Sequence, residues 1–176
     1  AVKTGRPLDV DPEEPQRVAQ AVAKLHLRYA VVTSVTRDDL ADAGAGQFAR
    51  TIEQIRSLTP QTKIEVLIPD FSNRLENLRR VVDAAPDVIS HNIETVRRLS
   101  SSVRPQADYE RSLSVLRTLK EMNSALWVKS GLMIGLGETD EEIAETMKHL
   151  VEAGCDMLTI GQYLSPTKAK RHARVE

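Results

Sequence analysis

Four stretches of this sequence carry residues whose types and spacing could do chemistry. After the apolar run "RYAVVTSV", which begins at Arg28, come Thr33, Ser34, Arg37, Asp38 and Asp39, a set of hydroxyls and charges suited to an amine or a carboxylate. "SHNIET" places Asn92 and Glu94 two positions apart. Strand side chains alternate, so these two project to one side and His91 and Ile93 to the other. A carboxylate beside an amide suits a diol, whereas exposed loop polars fit the same spacing. "LWVKSGLMIGLGE" holds Lys129, Gly131, Gly135, Gly137 and Glu138. Glycine inside a strand weakens pairing and packs nothing, so Gly131 and Gly135 point to close approach by something flat, and a tight turn accounts for Gly137. "GQYLSPT" adds Gln162, Tyr163 and Leu164 at the end of the last apolar run.

The elements that must position these groups alternate along the chain. Short runs rich in Val and Ile begin at Arg28, Lys63, Asp87, Leu126 and Asp156, and read as strands buried on both faces. Between them lie longer amphipathic stretches over 12–27, 47–58, 73–84, 109–122 and 141–153. Asp11, Pro12 and Glu14 mark one helix start, Thr139 with Glu142 has capping-box spacing, and Gly154 stands where the last helix must stop. Strands separated by helices run parallel with right-handed crossovers, giving a doubly wound sheet or a barrel of βα units. In both, ligands gather at the carboxyl ends of the strands, where the four stretches fall.

Composition bounds the rest. A chain of 176 residues with 41% hydrophobic content suits one domain, expected over 1–164, followed by a basic tail over 165–176. Lys plus Arg number 24 against 25 Asp plus Glu, a net charge of −1 that gives no electrostatic case for nucleic acid or a membrane surface. No apolar stretch is long enough to span a bilayer, and a cytoplasmic protein is expected, with the mitochondrial matrix as the second choice. His26, His149 and His172 have no partner at ligand spacing and are expected at the surface, His91 is expected to pack under a helix, and Trp127 is expected in the core. Tyr109 and Arg111 are expected to be helix-start scaffold.

"SGLMIGLGET" resembles the G-x-I-x-G-x-x-E element of radical S-adenosylmethionine enzymes, with Met133 where Ile is usual. Together with "YAVVTSVTRDDLADAGAGQFA", "KIEVLIPDF", "SHNIETV", "VRPQADYERSL" and "DMLTIGQYLSPT", it makes the chain similar to the lipoyl synthase family over nearly its whole length. The resemblance implies an α/β fold, a partial (β/α)6 TIM-type barrel of parallel strands lacking its first strand. It also implies a sulfurtransferase that inserts two sulfur atoms at C6 and C8 of a protein-bound octanoyl group by radical chemistry. The implied cofactors are S-adenosylmethionine and two [4Fe-4S] clusters. The implied partners are an octanoylated lipoyl carrier domain or glycine cleavage H protein, and an electron donor.

Carried over position by position, the resemblance implies a cofactor cradle. Thr33, Ser34 and Asp38 would receive the methionine amino group, Asn92 and Glu94 the ribose hydroxyls, and Gly131 to Gly135 the adenine, with backbone contacts from Gln162, Tyr163 and Leu164. Lys129 and Arg37 match rim positions, with carboxylate contact or an ion pair to Asp38 or Asp39 both open. The family's cluster motif, C-x3-C-x2-C, is absent, and the single cysteine, Cys155, does not match it. Clusters are held by several thiolates, so no metal-ligand set, no catalytic residue and no activity are expected of this chain alone, which reads as a fragment with one sheet edge left open. Two other readings stand beside this one. The first is an aldolase-like barrel forming a Schiff base at Lys129, with Asp38 or Glu94 moving protons. The second is a non-catalytic nucleoside-binding module.

Overall fold

A computed structural model describes residues 7–165 of the chain. The elements run α1 (Glu14–Lys24), β1 (Tyr29–Thr33), α2 (Ala45–Leu58), β2 (Lys63–Leu67), a 3-10 turn (Phe71–Asn73), α3 (Leu75–Asp83), β3 (Val88–Ser90), α4 (Arg97–Val103), α5 (Tyr109–Met122), β4 (Trp127–Ile134), α6 (Asp140–Glu152) and β5 (Met157–Gln162). All strand pairs are parallel, and the five-stranded order is β1-β2-β3-β4-β5. This order decides between the two expected architectures. A doubly wound sheet reverses its strand order, whereas strictly sequential right-handed crossovers put every helix on one face, as in a barrel wall. The helices accordingly pack in one layer, α1 on α2, α2 on α3, α3 on α5 and α5 on α6.

That layer covers one side of β1 to β4, whereas edge strand β5 has no buried residue and Ile160, in register with Leu132, is 47% exposed. Ala30, Ile64, Val66, Ile89, Val128 and Leu132 point into it and are at most 5% exposed, joining Ile52, Ile55, Leu78, Leu116 and Leu150 in the core. The other sheet face is open, so the expectation of strands buried on both faces fails at the edges. Tyr29 and Val31 are 47% and 58% exposed there. Trp127, expected in the core, is 57% exposed, because its position in the register with Val88 puts it on the same open face as Lys129 and Gly131.

Helix boundaries follow local chemistry. Thr139 accepts from the Glu142 N–H while the Glu142 carboxylate accepts from the Thr139 N–H, completing the expected capping box of α6. Gly154 ends that helix at φ +78°. The expected start of α1 is corrected: the helix begins at Glu14 with Pro15 in its first turn, and Asp11 instead accepts from the Glu13 N–H and pairs with Arg17. The connection from β3 to β4 holds two helices rather than one. Seven-residue α4, with three serines in "RRLSSSV", has too little helix propensity to stand out in sequence. The basic tail and His172 lie outside the described residues, Ser165 apart.

Candidate functional site

Register stacks the site in rows on the open face. Thr33, Leu67, Ser90, Lys129 and Met157 form one row from β1 to β5. Just beyond the end of β3 the chain makes an isolated bridge from Glu94 to Leu132. The Glu94 N–H donates to the Gly131 carbonyl at 2.9 Å, and the Glu94 carbonyl accepts from the Met133 N–H at 2.8 Å. These bonds hold Glu94 at φ +68°, a left-handed conformation that costs a non-glycine residue about 1 kcal/mol or more. The backbone is therefore fixed in a strained form that aims the carboxylate at the open rim.

As the alternation required, Asn92 and Glu94 share a side, and the Asn92 amide donates to the Glu94 carboxylate at 3.2 Å. His91 turns the other way. It is 3% exposed, with Nδ1 3.0 Å from the Ile68 carbonyl and Nε2 3.1 Å from Ser112 Oγ on α5. Burial pushes its pKa down, so it packs as a neutral ring beneath the helix. His149 is corrected from an unpartnered surface residue: its Nδ1 lies 3.1 Å from the hydroxyl of buried Tyr109, which serves as the expected scaffold.

Two clefts meet at the Asn92–Glu94 pair. The larger, about 570 Å³, is walled by Thr33 at the end of β1, Ser34 and Asp38 after it, Asp70 after β2, and Arg104. Asp70 is 3.3 Å from Arg111, and Arg104 donates to the Asn92 carbonyl at 3.2 Å. The smaller, about 300 Å³, runs along the open face past Lys129, Gly131 and Met133. Of the residues singled out in the sequence, Thr33, Ser34, Asp38, Asn92, Glu94, Lys129 and Gly131 thus line one continuous depression. Gly135, Gln162, Tyr163 and Leu164 lie at the adjoining end of β4 and β5, outside these walls.

The glycines have nearer reasons than a ligand. A Cβ on Gly131 would sit 2.7 Å from the Asn92 side-chain oxygen, so the missing side chain is the space that Asn92 occupies. Gly135, at φ +95°, likewise leaves room for the Gln162 carboxamide, which donates to the Ile134 carbonyl at 3.3 Å. Gly137 has open space around it and a φ of +99°, as a turn requires. Glu138 closes the loop on itself, accepting from the N–H groups of Gly135 and Leu136.

Lys129 and Arg37 make different ion pairs. Arg37 holds Asp39 through two bonds of 2.8 Å, one of the two arrangements left open. Lys129 pairs with neither Asp38 nor Asp39. It donates to both oxygens of Glu65 at 2.9 and 3.1 Å, and that carboxylate also accepts from Tyr29 Oη at 2.6 Å and Ser90 Oγ at 2.8 Å. Burial pushes the Glu65 carboxyl up, but the bonds from Tyr29, Lys129 and Ser90 outweigh it and hold it below the usual range. Sequence reasoning missed Glu65, although a carboxylate in the middle of the apolar run "KIEVL" was the available signal. Arg104 was missed too, on a loop with no periodicity to mark it.

Among the described residues no three His, Cys, Asp or Glu side chains stand together to hold a metal, and half-buried Cys155 is a lone thiol beside Val128 and Met157. No helix there is long and apolar enough to cross a membrane.

Residues 2–150 match the Radical SAM superfamily. Lipoyl synthase of Caldicellulosiruptor saccharolyticus is 59% identical over 167 residues, 95% of this chain and 59% of that protein. Lipoyl synthase of Caldanaerobacter subterraneus subsp. tengcongensis is 56% identical over 167 residues, 95% of this chain and 58% of the relative. The chain thus spans less than two thirds of the length of these relatives. Among solved structures, HydG, a maturase of the [FeFe]-hydrogenase, superposes with a TM-score of 0.72 at 17% identity, covering 96% of this chain and 39% of that one. At that identity the likeness concerns the fold, a radical SAM barrel wall of parallel strands.

Proposed function

Because the chain belongs to the Radical SAM superfamily, we propose that it is the S-adenosylmethionine-binding part of a lipoyl synthase. The observation that supports this most is the convergence of Thr33, Ser34, Asp38, Asn92 and Glu94 on one cleft at the carboxyl ends of the strands. A volume of about 570 Å³ falls in the range of small-molecule sites, about 300–1,000 Å³. The donor set fits such a ligand: hydroxyls and a carboxylate for an amine, and Glu94 beside Asn92 for a ribose diol.

In this reading, residues 1–164 form the domain, and the parent enzyme inserts sulfur at C6 and C8 of an octanoyl group. The octanoyl group is carried by a lipoyl carrier domain or glycine cleavage H protein in the cytoplasm, with an electron donor. When bound, a [4Fe-4S] cluster supplies the electron that cleaves S-adenosylmethionine, and the second cluster of the family supplies sulfur. This chain's own residues bind and orient. Glu94 and Asn92 fix the sugar, Asp38 with Thr33 and Ser34 receives the amino group, and Gly131, Gly135, Gln162, Tyr163 and Leu164 border the base. Cluster ligation needs several thiolates and the chain has one, so the chain alone binds without reacting.

The aldolase alternative requires a free amine at Lys129, and the bidentate contact with Glu65 argues against it. Isothermal titration of the chain with S-adenosylmethionine tests the proposal. Binding in the range of about 10 μM to 1 mM is expected, reduced about tenfold by Asn92→Ala or Glu94→Gln. No binding, nanomolar binding, or affinity indifferent to both substitutions would overturn it.

A further inference from the structure

Arg98, on the first turn of α4, has 55% of its side chain exposed, where an ion pair ordinarily contributes little to stability. Its guanidinium nevertheless makes three directed bonds to one neighbouring segment. Nε donates to Glu142 Oε1 at 2.6 Å, and Nη2 donates to Glu142 Oε2 at 2.9 Å and to the Gly137 carbonyl at 2.8 Å. A planar fork of this kind fixes geometry as well as charge, which an ammonium in its place does not. The Glu142 carboxyl is held at about 2, chiefly by Arg98, so the pair stays charged at neutral pH.

Both partners belong to the connection from β4 to α6. Glu142 is the capping carboxylate of α6, and Gly137 is the turn residue with open space around it. Glu138 bonds within the turn, to the N–H groups of Gly135 and Leu136, and so sets its shape. Arg98 reaches the turn from α4 and sets its place relative to that helix. The root of Arg98 is itself fixed. Glu94 is bonded to β4 on both sides of its peptide, and Thr95 and Val96 are 1% exposed. Arg97 pairs with Glu110 and lies 4.9 Å from the centre of the Tyr109 ring on α5. The short run from Glu94 to Arg98 therefore joins the carboxylate at the cleft to the glycine turn, although Arg98 lines neither cleft.

We propose that Arg98 is a positioning residue for nucleoside binding: it sets the distance between the Glu94 carboxylate and the Gly135–Gly137 turn, so that sugar and base are met together. This rests on the reading of the site given above, in which Glu94 receives the ribose and Gly135 borders the base. A ligand that spans both gains from having their spacing set before it arrives.

Arg98→Met keeps most of the stem and removes the fork, whereas Arg98→Lys keeps the charge. In the free chain, amide exchange at Leu136 and Thr139 is expected to quicken about tenfold in Arg98→Met while β2 to β4 are unchanged. Chemical-shift titration with S-adenosylmethionine is expected to show about fivefold weaker binding in Arg98→Met, and Arg98→Lys is expected to recover less than half of either loss. Because Arg98 acts through its spacing to Glu94, Arg98→Met combined with Glu94→Gln is expected to bind about as weakly as Glu94→Gln alone; two independent structural losses would multiply. Should Arg98→Met fail to fold, Arg98→Lys is judged alone and is expected to weaken binding at least about twofold. Unchanged exchange, full recovery by lysine, or losses that multiply would overturn the proposal. Binding by the unaltered chain that neither Arg98 variant weakens sinks this proposal and leaves the nucleoside reading standing, whereas no binding by the unaltered chain sinks both.

Discussion

At the scale of single residues, the site is built by side chains that take each other's space. Asn92 occupies the volume a side chain on Gly131 would need, with the closest approach at 2.7 Å. Gly131→Ala must therefore push Asn92 off its bond to Glu94, and because the added methyl meets a strand end already held by backbone bonds, relief is partial. The expected result is a loss of about 1–3 kcal/mol in urea unfolding together with weaker S-adenosylmethionine binding. The double variant Gly131→Ala with Asn92→Ser restores room, so it is expected to regain most of the stability and none of the affinity. The sequence exposed the glycines as anomalies in a strand, but not what filled the gap. Spacing along one strand says nothing about which residue of the next strand leans across.

At the scale of elements, Asp87 at the entry of β3 shows how the sheet is fastened below the site. Its carboxylate accepts from Lys63 at 2.7 Å, from Arg56 on α2 at 2.8 Å and from the Ile64 N–H at 2.9 Å. Burial alone would raise its pKa; the Lys63, Arg56 and Ile64 bonds outweigh burial and bring it from 3.8 to about 2. A depressed carboxylate contributes stability that is full above its unfolded pKa and is lost as pH falls through the folded one. Unfolding midpoints are therefore expected to drop between about pH 4 and pH 2, and Asp87→Asn is expected to lower the midpoint at pH 6 and flatten that part of the slope. Elements of this kind were largely legible. The five strands and the capping box of α6 follow from apolar runs and a Thr-x-x-Glu spacing, signals carried by neighbours in sequence. What could not be read was α4, whose serine-rich turn is held by tertiary context, and the Glu65–Lys129 pair, which joins residues on β2 and β4 across β3.

At the scale of the whole molecule, the sheet has one covered face, one open face and two edges. Among the described residues β1 pairs only with β2, and Val31 and Tyr29 stand exposed along it. An apolar edge strand is a template for another chain. Concentration-dependent association is expected in sedimentation velocity, and Val31→Lys is expected to suppress it while leaving the thermal midpoint within a few degrees. Exposure of this face explains why Trp127 was misplaced: the run that contains it is as apolar as a buried strand, and only the parity shared with Lys129 separates the two.

The strictly consecutive strand order also bears on how the molecule comes into being. From β2 onward each strand pairs with the strand one crossover earlier in the chain, so its partner has already been synthesised when it emerges from the ribosome. Assembly can proceed like courses of brick, with every finished layer serving as the footing for the next.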